Sequence, residues 1–200
     1  MKNNTKVNAA ILIIGNEILS GRTQDTNTTT LAKWLNSIGV VVNEVRIIAD
    51  IEKTIIETLN ILRKSNNYVF TTGGIGPTHD DITAESVSKA FGVKYEIHKE
   101  AFEILKSYYK QGEFNEGRQK MVWMPKDSQL ILNPTSGAPG FSIENVFCLP
   151  GVPSILKSML GGLKNKIVGG EPILSHTINL KTVESEIANS LTKVQDQNID

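Results

Sequence analysis

Thr71-Thr72-Gly73-Gly74-Ile75-Gly76-Pro77-Thr78-His79-Asp80-Asp81-Ile82-Thr83-Ala84-Glu85 is the stretch on which the reading of this chain turns. It follows the apolar run Tyr68-Val69-Phe70, which predicts a buried strand, and leads into Ile82, Val87, Ala90 and Phe91 at helical spacing. A strand, a glycine turn and a helix start are expected. Glycines at 73, 74 and 76 let backbone N–H groups approach a ligand with no Cβ in the way, and a helix start adds further amides and a positive dipole end. Such a corner suits an anion, phosphate above all. Asp80 and Asp81 stand beside it, and two carboxylates repel a phosphate unless a cation lies between, so the pair implies a divalent metal bridging protein and ligand. A plainer reading uses the same residues: Asp80 or Asp81 as the helix N-cap, Glu85 in the first turn, and Gly76-Pro77 as an ordinary turn.

Outward from this stretch, strands and helices alternate. Ala9-Ala10-Ile11-Leu12-Ile13-Ile14 is a continuous apolar run of the kind a parallel strand shows when both faces are covered. The polar loop Gly15 to Asn27 follows it, at the carboxyl end of a strand, where α/β sheets bind ligands. Leu31, Trp34, Leu35 and Ile38 predict an amphipathic helix closed by Gly39, and Val40 to Ile48 a second strand. Ile55, Ile56, Leu59 and Leu62 mark a second helix. This order forces parallel pairing with right-handed crossovers, so the expected fold is a three-layer α/β/α domain with a mostly parallel sheet.

Beyond Phe91 the pattern loosens. A short strand around Tyr95 and a helix from Ala101 to Tyr109 precede a break at Gln111 to Gly117, and Gln129 to Leu132 predict a strand. Asn133-Pro134-Thr135-Ser136-Gly137-Ala138-Pro139-Gly140-Phe141 reads as a loop, Asn145 to Leu149 as a strand. After Pro150-Gly151-Val152-Pro153, the residues Val152, Ile155, Leu156, Met159, Leu160, Leu163 and Ile167 predict a helix with Pro153 in its first turn. Gly169-Gly170-Glu171-Pro172 reads as a linker to one strand (Ile173 to Val183) and one helix (Ile187, Leu191, Val194). The organisation is thus a domain over 1–168 and a strand-helix appendage over 169–200, too little to close a core, as in a truncated unit.

With 200 residues, 40% of them hydrophobic, the chain can bury a core of its own. Lys+Arg and Asp+Glu are both 21, a formal net charge of zero that offers nucleic acid no basic face and a membrane no polybasic anchor. Cys148, the one cysteine, lies in an apolar run and reads as core, so no disulfide framework or thiolate zinc site is available. The polar N-terminus lacks a signal-type apolar segment and no run is long enough to span a bilayer; a cytoplasmic protein is expected.

Four loops follow four strands: Gly15-Asn16-Glu17-Ile18-Leu19, Thr72 to Thr83, Ala138-Pro139-Gly140-Phe141 and Leu149-Pro150-Gly151-Val152-Pro153. Together, over roughly the first 165 residues, they resemble the molybdopterin-binding (MoaB/MogA-like) domain superfamily, and within it the N-terminal domain of competence-damage-inducible protein CinA and the related domain of eukaryotic FAD synthase. The resemblance implies a metal-dependent hydrolase of a nucleotide diphosphate linkage, of the ADP-ribose or FAD type. It implies Asp81, Asp80 and Glu17 as catalytic residues, with Asp80 and Asp81 holding Mg²⁺, Mn²⁺ or Co²⁺. Gly15, Asn16, Gly73, Gly74, Gly76, Thr78, Ser136, Gly137, Pro150 and Gly151 are the ligand-binding set. Two positions depart from the family pattern: Asn16 replaces its aspartate, and Ser154-Ile155-Leu156 replace the acidic residue that usually follows Pro-Gly-Val-Pro. The alternatives are a protein that binds or adenylylates molybdopterin, and a non-catalytic nucleotide-binding domain. The expected partner is a small phosphorylated nucleotide or pterin, with neither nucleic acid nor membrane. The resemblance also implies a homo-oligomer, with Phe102 to Tyr109 as a candidate interface, and no nicotinamide-mononucleotide deamidase activity within these 200 residues. Ser20, Arg22, Asp25 and Asn27 read either as ligand contacts or as a solvated loop, and His79 as a surface residue or a phosphate partner.

Overall fold

The computed structural model describes residues 7–172, 174 and 176–198. Its elements in chain order are β1 (Val7–Ile14), α1 (Asn16–Leu19), α2 (Asn27–Ser37), β2 (Val40–Ile48), α3 (Glu52–Ser65), β3 (Tyr68–Thr72), α4 (Thr83–Phe91), β4 (Tyr95–Ile97), α5 (Lys99–Tyr108), α6 (Glu116–Lys120), β5 (Trp123–Pro125), β6 (Gln129–Ile131), β7 (Gly140–Ile143), β8 (Val146–Leu149), α7 (Pro153–Leu163) and α8 (Glu184–Gln197). The six-stranded sheet runs β2-β1-β3-β8-β7-β6, and β4 pairs with β5 as a separate antiparallel ribbon. β1, β2, β3 and β8 are mutually parallel, while β7 and β6 add on antiparallel.

β1 shows why the run from Ala9 to Ile14 has no polar member. Strand side chains alternate between faces. Ala10, Leu12 and Ile14 pack into one core with Ile55, Leu59 and Leu62 of α3 and Val87 of α4. Ala9, Ile11 and Ile13 pack into the other, with Leu31 and Leu35 of α2 and Leu156, Met159, Leu160 and Leu163 of α7. Both faces are dry, so the fold has three layers, as the apolar runs imply.

Three features differ from the sequence expectation. Gly140 and Phe141, expected in a loop, open β7, which turns tightly through Glu144 (φ 48°) into β8. Residues 16–19, expected as loop, form the single turn α1. Leu174 and residues 176–183 carry no strand, and Ile173 and Ser175 lie outside the described residues. The Gly169-Gly170 pair is docked rather than loose: Gly170 N–H donates to the Gly39 carbonyl at 3.1 Å. α8 buries none of its residues. The aromatic rings around α5 pack within the chain, Phe102 on Phe114 at 5.3 Å and Tyr109 on Phe114 at 6.1 Å between centroids. Among the described residues no helix is long and apolar enough to cross a membrane.

Candidate functional site

The carboxyl ends of β1, β3 and β8 lie side by side, and the loops that leave them meet over a cleft of about 520 Å³. It is lined by Glu17, Thr23, the run Gly73 to Pro77, Asp81, Met121, the loop residues Asn133, Ser136, Ala138 and Pro139, then Pro150 to Pro153 and Ile155. Of the expected site residues this brings together Glu17, Gly73, Gly74, Gly76, Asp81, Ser136, Pro150 and Gly151.

The glycine loop owes its shape to two tight approaches. Gly73 (φ 99°) passes so close to β1 that a Cβ would stand 2.1 Å from the Ile14 carbonyl oxygen. At Gly74 (φ 67°) it would stand 2.1 Å from Thr83 Oγ1, so the loop lies directly on the first residue of α4. Only glycine fits either place without strain. Thr83 N–H donates to the Gly74 carbonyl at 2.9 Å, which locks the loop onto the helix start.

Asp81 does not cap α4. The cap position is Ile82, with no side-chain cap bond, and Asp81 Oδ2 instead accepts the Thr78 N–H at 2.8 Å and the Thr78 hydroxyl. The carboxylate thus closes the Gly-Pro-Thr-His-Asp-Asp loop on itself and faces Gly76, whose Cβ would lie 2.7 Å from Asp81 Oδ2. Thr78 serves this closure and is not among the cleft-lining residues. Lys120 Nζ donates to the Thr78 carbonyl, pinning α6 to the same loop.

Asp80 is exposed and lies outside the cleft lining. The Thr78 hydroxyl, its own backbone amide and the charges of His79 and Lys120 hold its carboxyl below the usual carboxylate range. Gly15 is covered by Glu17, whose Oε1 lies 2.6 Å from where a Gly15 Cβ would be, and so acts by giving that carboxylate room. Asn16 is exposed and its amide N–H, rather than its side chain, does the bonding, to Asp50 Oδ2 at 2.8 Å. Gly137 lies under the Tyr108 ring and is not a lining residue. In that third loop Asn133 is the organiser: its Oδ1 accepts the amides of Thr135 and Ser136, and its Nδ2 donates to Ser136 Oγ (2.7 Å) and the Ala138 carbonyl (2.9 Å). Ser136 Oγ accepts there, which leaves its own proton for a ligand.

Two residues that sequence reasoning passed over now matter. Asp50, just after β2, is half-buried, and burial, then the nearby charges of Glu17 and Asp80, push its carboxyl up, against the Asn16 amide bond that lowers it. It makes the acidic corner one of four carboxylates. The signal was its place after the second strand, in a topology that puts strand ends together. Thr23 reaches the cleft from the loop after α1. Among the described residues no three His, Cys, Asp or Glu side chains converge tightly enough to cage a metal by themselves.

A family model described as "Probable molybdopterin binding domain" matches residues 10–173. A protein of Archaeoglobus fulgidus is 34% identical over 190 residues, spanning 95% of this chain and 81% of that protein. A "Putative competence-damage inducible protein" of Clostridioides difficile is 37% identical over 157 residues, 76% of this chain but 38% of the longer relative. Among solved structures, CinA of Thermoplasma acidophilum matches with a TM-score of 0.76 at 32% identity, covering 82% of this chain and 99% of that one. MoaB of Thermus thermophilus matches at a TM-score of 0.54 and 16% identity over 78% of this chain and 89% of that one, a likeness of fold.

Proposed function

The chain belongs to the molybdopterin-binding domain family, and on that premise we propose that it hydrolyses the diphosphate linkage of a nucleotide of the ADP-ribose or FAD kind with a divalent cation. One observation carries the reading. A loop of glycine amides shares its cleft with the carboxylates of Glu17 and Asp81, and none of the cleft-lining side chains is cationic. A diphosphate on that loop meets like charge, so the donor set fits a small hard cation. Such ions take one or two carboxylates and complete their shell with ligand phosphate oxygens and water, which suits a site with no three-carboxylate cage. Glu17 and Asp81 would hold it, with Asp80 and Asp50 as further carboxylates of the corner. When bound, the cation supplies charge neutralisation and water activation.

The chain's own groups do the rest. Amides of residues 74 to 76 hold the diphosphate, the Gly73 N–H being taken by the Leu149 carbonyl at 3.1 Å; Ser136 donates its proton to a ligand oxygen, and the apolar wall of Met121, Val152 and Ile155 excludes water from the remainder of the ligand. AMP release from ADP-ribose and from FAD, with and without Mg²⁺, Mn²⁺ or Co²⁺, tests the reading. Cation-dependent AMP is expected; its absence with every cation, while the nucleotide still binds, overturns hydrolysis in favour of a binding domain.

The description of the family model favours a second ligand, a phosphorylated pterin. On that reading the same glycine loop takes the pterin's phosphate. Pyrophosphate release from ATP that depends on added molybdopterin, with no AMP from ADP-ribose, would establish it.

A further inference from the structure

We propose that the outer edge of β2 is a contact surface for a second copy of this chain, whose own β2 adds antiparallel across a two-fold axis at Val45 and continues the sheet. β2 ends the six-stranded sheet, and among the described residues no strand pairs with its far side. The Ile48 carbonyl accepts the Gly15 N–H at 3.1 Å, so Ile48 turns its backbone groups toward β1. Successive residues of a parallel ladder turn theirs alternately to either side. Glu44, Arg46 and Ile48 therefore spend their backbone groups on β1, while Val45 and Ile47 present theirs to the open edge.

An open edge is a template for another strand, and proteins commonly guard it with charges or bulges. Both are present here, and both define what fits. Val42 pairs with Ala9 and Glu44 with Ala10, which leaves Asn43 bulged and confines an added strand to the residues around Val45. The charges, Glu44 and Arg46, lie on one face and are joined at 2.9 Å.

Those charges select the register. A two-fold normal to the sheet keeps each face continuous, so one residue must meet its own counterpart at the axis. Centred on Glu44 or on Arg46, the axis sets like charges directly opposite. Centred on Val45, it sets Glu44 opposite Arg46 of the partner subunit, and Arg46 opposite Glu44 of the partner subunit. Their backbone groups being turned to β1, these are non-hydrogen-bonded positions, where facing side chains come closest. On the other face the same register lays Val45 against its counterpart with Ile47 diagonal to it. In the single chain these two are 40% and 42% exposed, and a second copy covers them. A ladder so short makes a weak dimer, populated at high concentration.

Sedimentation equilibrium of the full chain over about 10–500 µM tests it. The parent should dimerise, and Glu44→Arg and Arg46→Glu should each weaken dimerisation by about tenfold or more, since each sets like charges opposite. An equimolar mixture of the two variants should associate as the parent does, because every facing pair is again of opposite sign. Should either variant not fold, Val45→Cys decides alone: at the axis the two Cα atoms stand about 5.5 Å apart, within disulfide range, and mild oxidation should link the chains. Cys148 is buried and does not compete. A parent that stays monomeric throughout, single variants that associate as strongly as the parent, a mixture that stays monomeric, or a Val45→Cys chain that does not link each overturns the proposal.

Discussion

Asp81 and Asp50 divide the work of the acidic corner between a carboxylate that shapes the loop and one that strains against its surroundings. Asp81 holds Thr78 through its N–H and hydroxyl, and an amide oxygen can still accept one of those bonds. Asp81→Asn should therefore cost roughly a hundredfold or more in cation-dependent AMP release, with a small change in Tm; full turnover in the variant would remove Asp81 from the chemistry. Asp50 behaves the opposite way. Its folded carboxyl takes a proton more readily than in the unfolded chain, where the ordinary value is 3.8, so it adds stability at pH below that value and loses it as pH rises through the raised folded value. Asp50→Asn keeps an acceptor for the Asn16 amide and removes the ionisation penalty. Thermal unfolding across pH should show the variant more stable than the parent at neutral pH, the difference vanishing below about pH 4. A variant less stable at neutral pH would show that the Asn16 bond outweighs burial and the Glu17 and Asp80 charges.

The strand-loop-helix unit of β3 and α4 works because its backbone approaches both β1 and its own helix more closely than a side chain allows. Gly73→Ala places a methyl 2.1 Å from the Ile14 carbonyl in a left-handed conformation, so β1 and the loop must separate. A loss of about 2 kcal/mol is expected in denaturant unfolding, together with weaker nucleotide binding if the proposed site is right, because the cleft-lining backbone from Gly74 to Gly76 moves with the loop. An unchanged midpoint would show that the loop is free to shift. The β7–β8 hairpin contributes differently, by widening the sheet past β8 and aiming the Asn133 to Pro139 loop back over the glycine loop, which closes the cleft on its far side.

Over the whole molecule, stability is concentrated in the two cores that sandwich the parallel strands, and little of it reaches the C-terminal stretch. Leu174, Ile178, Leu180 and Val183 are exposed by 60% or more, and α8 buries nothing. Gly169 and Gly170, by contrast, sit against Ile38 and Gly39. Brief trypsin treatment should cut first at Lys181 and leave a resistant fragment that ends after the docked glycine pair, rather than cutting near Gly169-Gly170. Mass spectrometry of the first product decides this; protection of Lys181 would mean that the stretch packs on something in solution.

What the sequence determined by itself were the features whose cause is local or periodic. A six-residue apolar run needs two dry faces, glycines before a helical stripe need a tight turn, and strand-helix alternation needs a parallel sheet, so the α/β/α layering and the glycine loop were legible before any coordinates. The four motifs also carried the family, because their order and spelling are a linear record. Tertiary structure decided which carboxylates line the cleft. Asp81 lines it and Asp80 does not although they are neighbours, and Asp50 comes to the same corner from the end of β2. It likewise turned Gly137 under Tyr108, folded Glu17 over Gly15, made Asn16 act through its backbone, and left the buried Asn27 Oδ1 without a partner among the described residues. The physical reason is that a side chain's partner across space is set by register and packing between segments 34 to 124 residues apart, as in Asn16 with Asp50 and Asn27 with Gly151, and no window of sequence contains both.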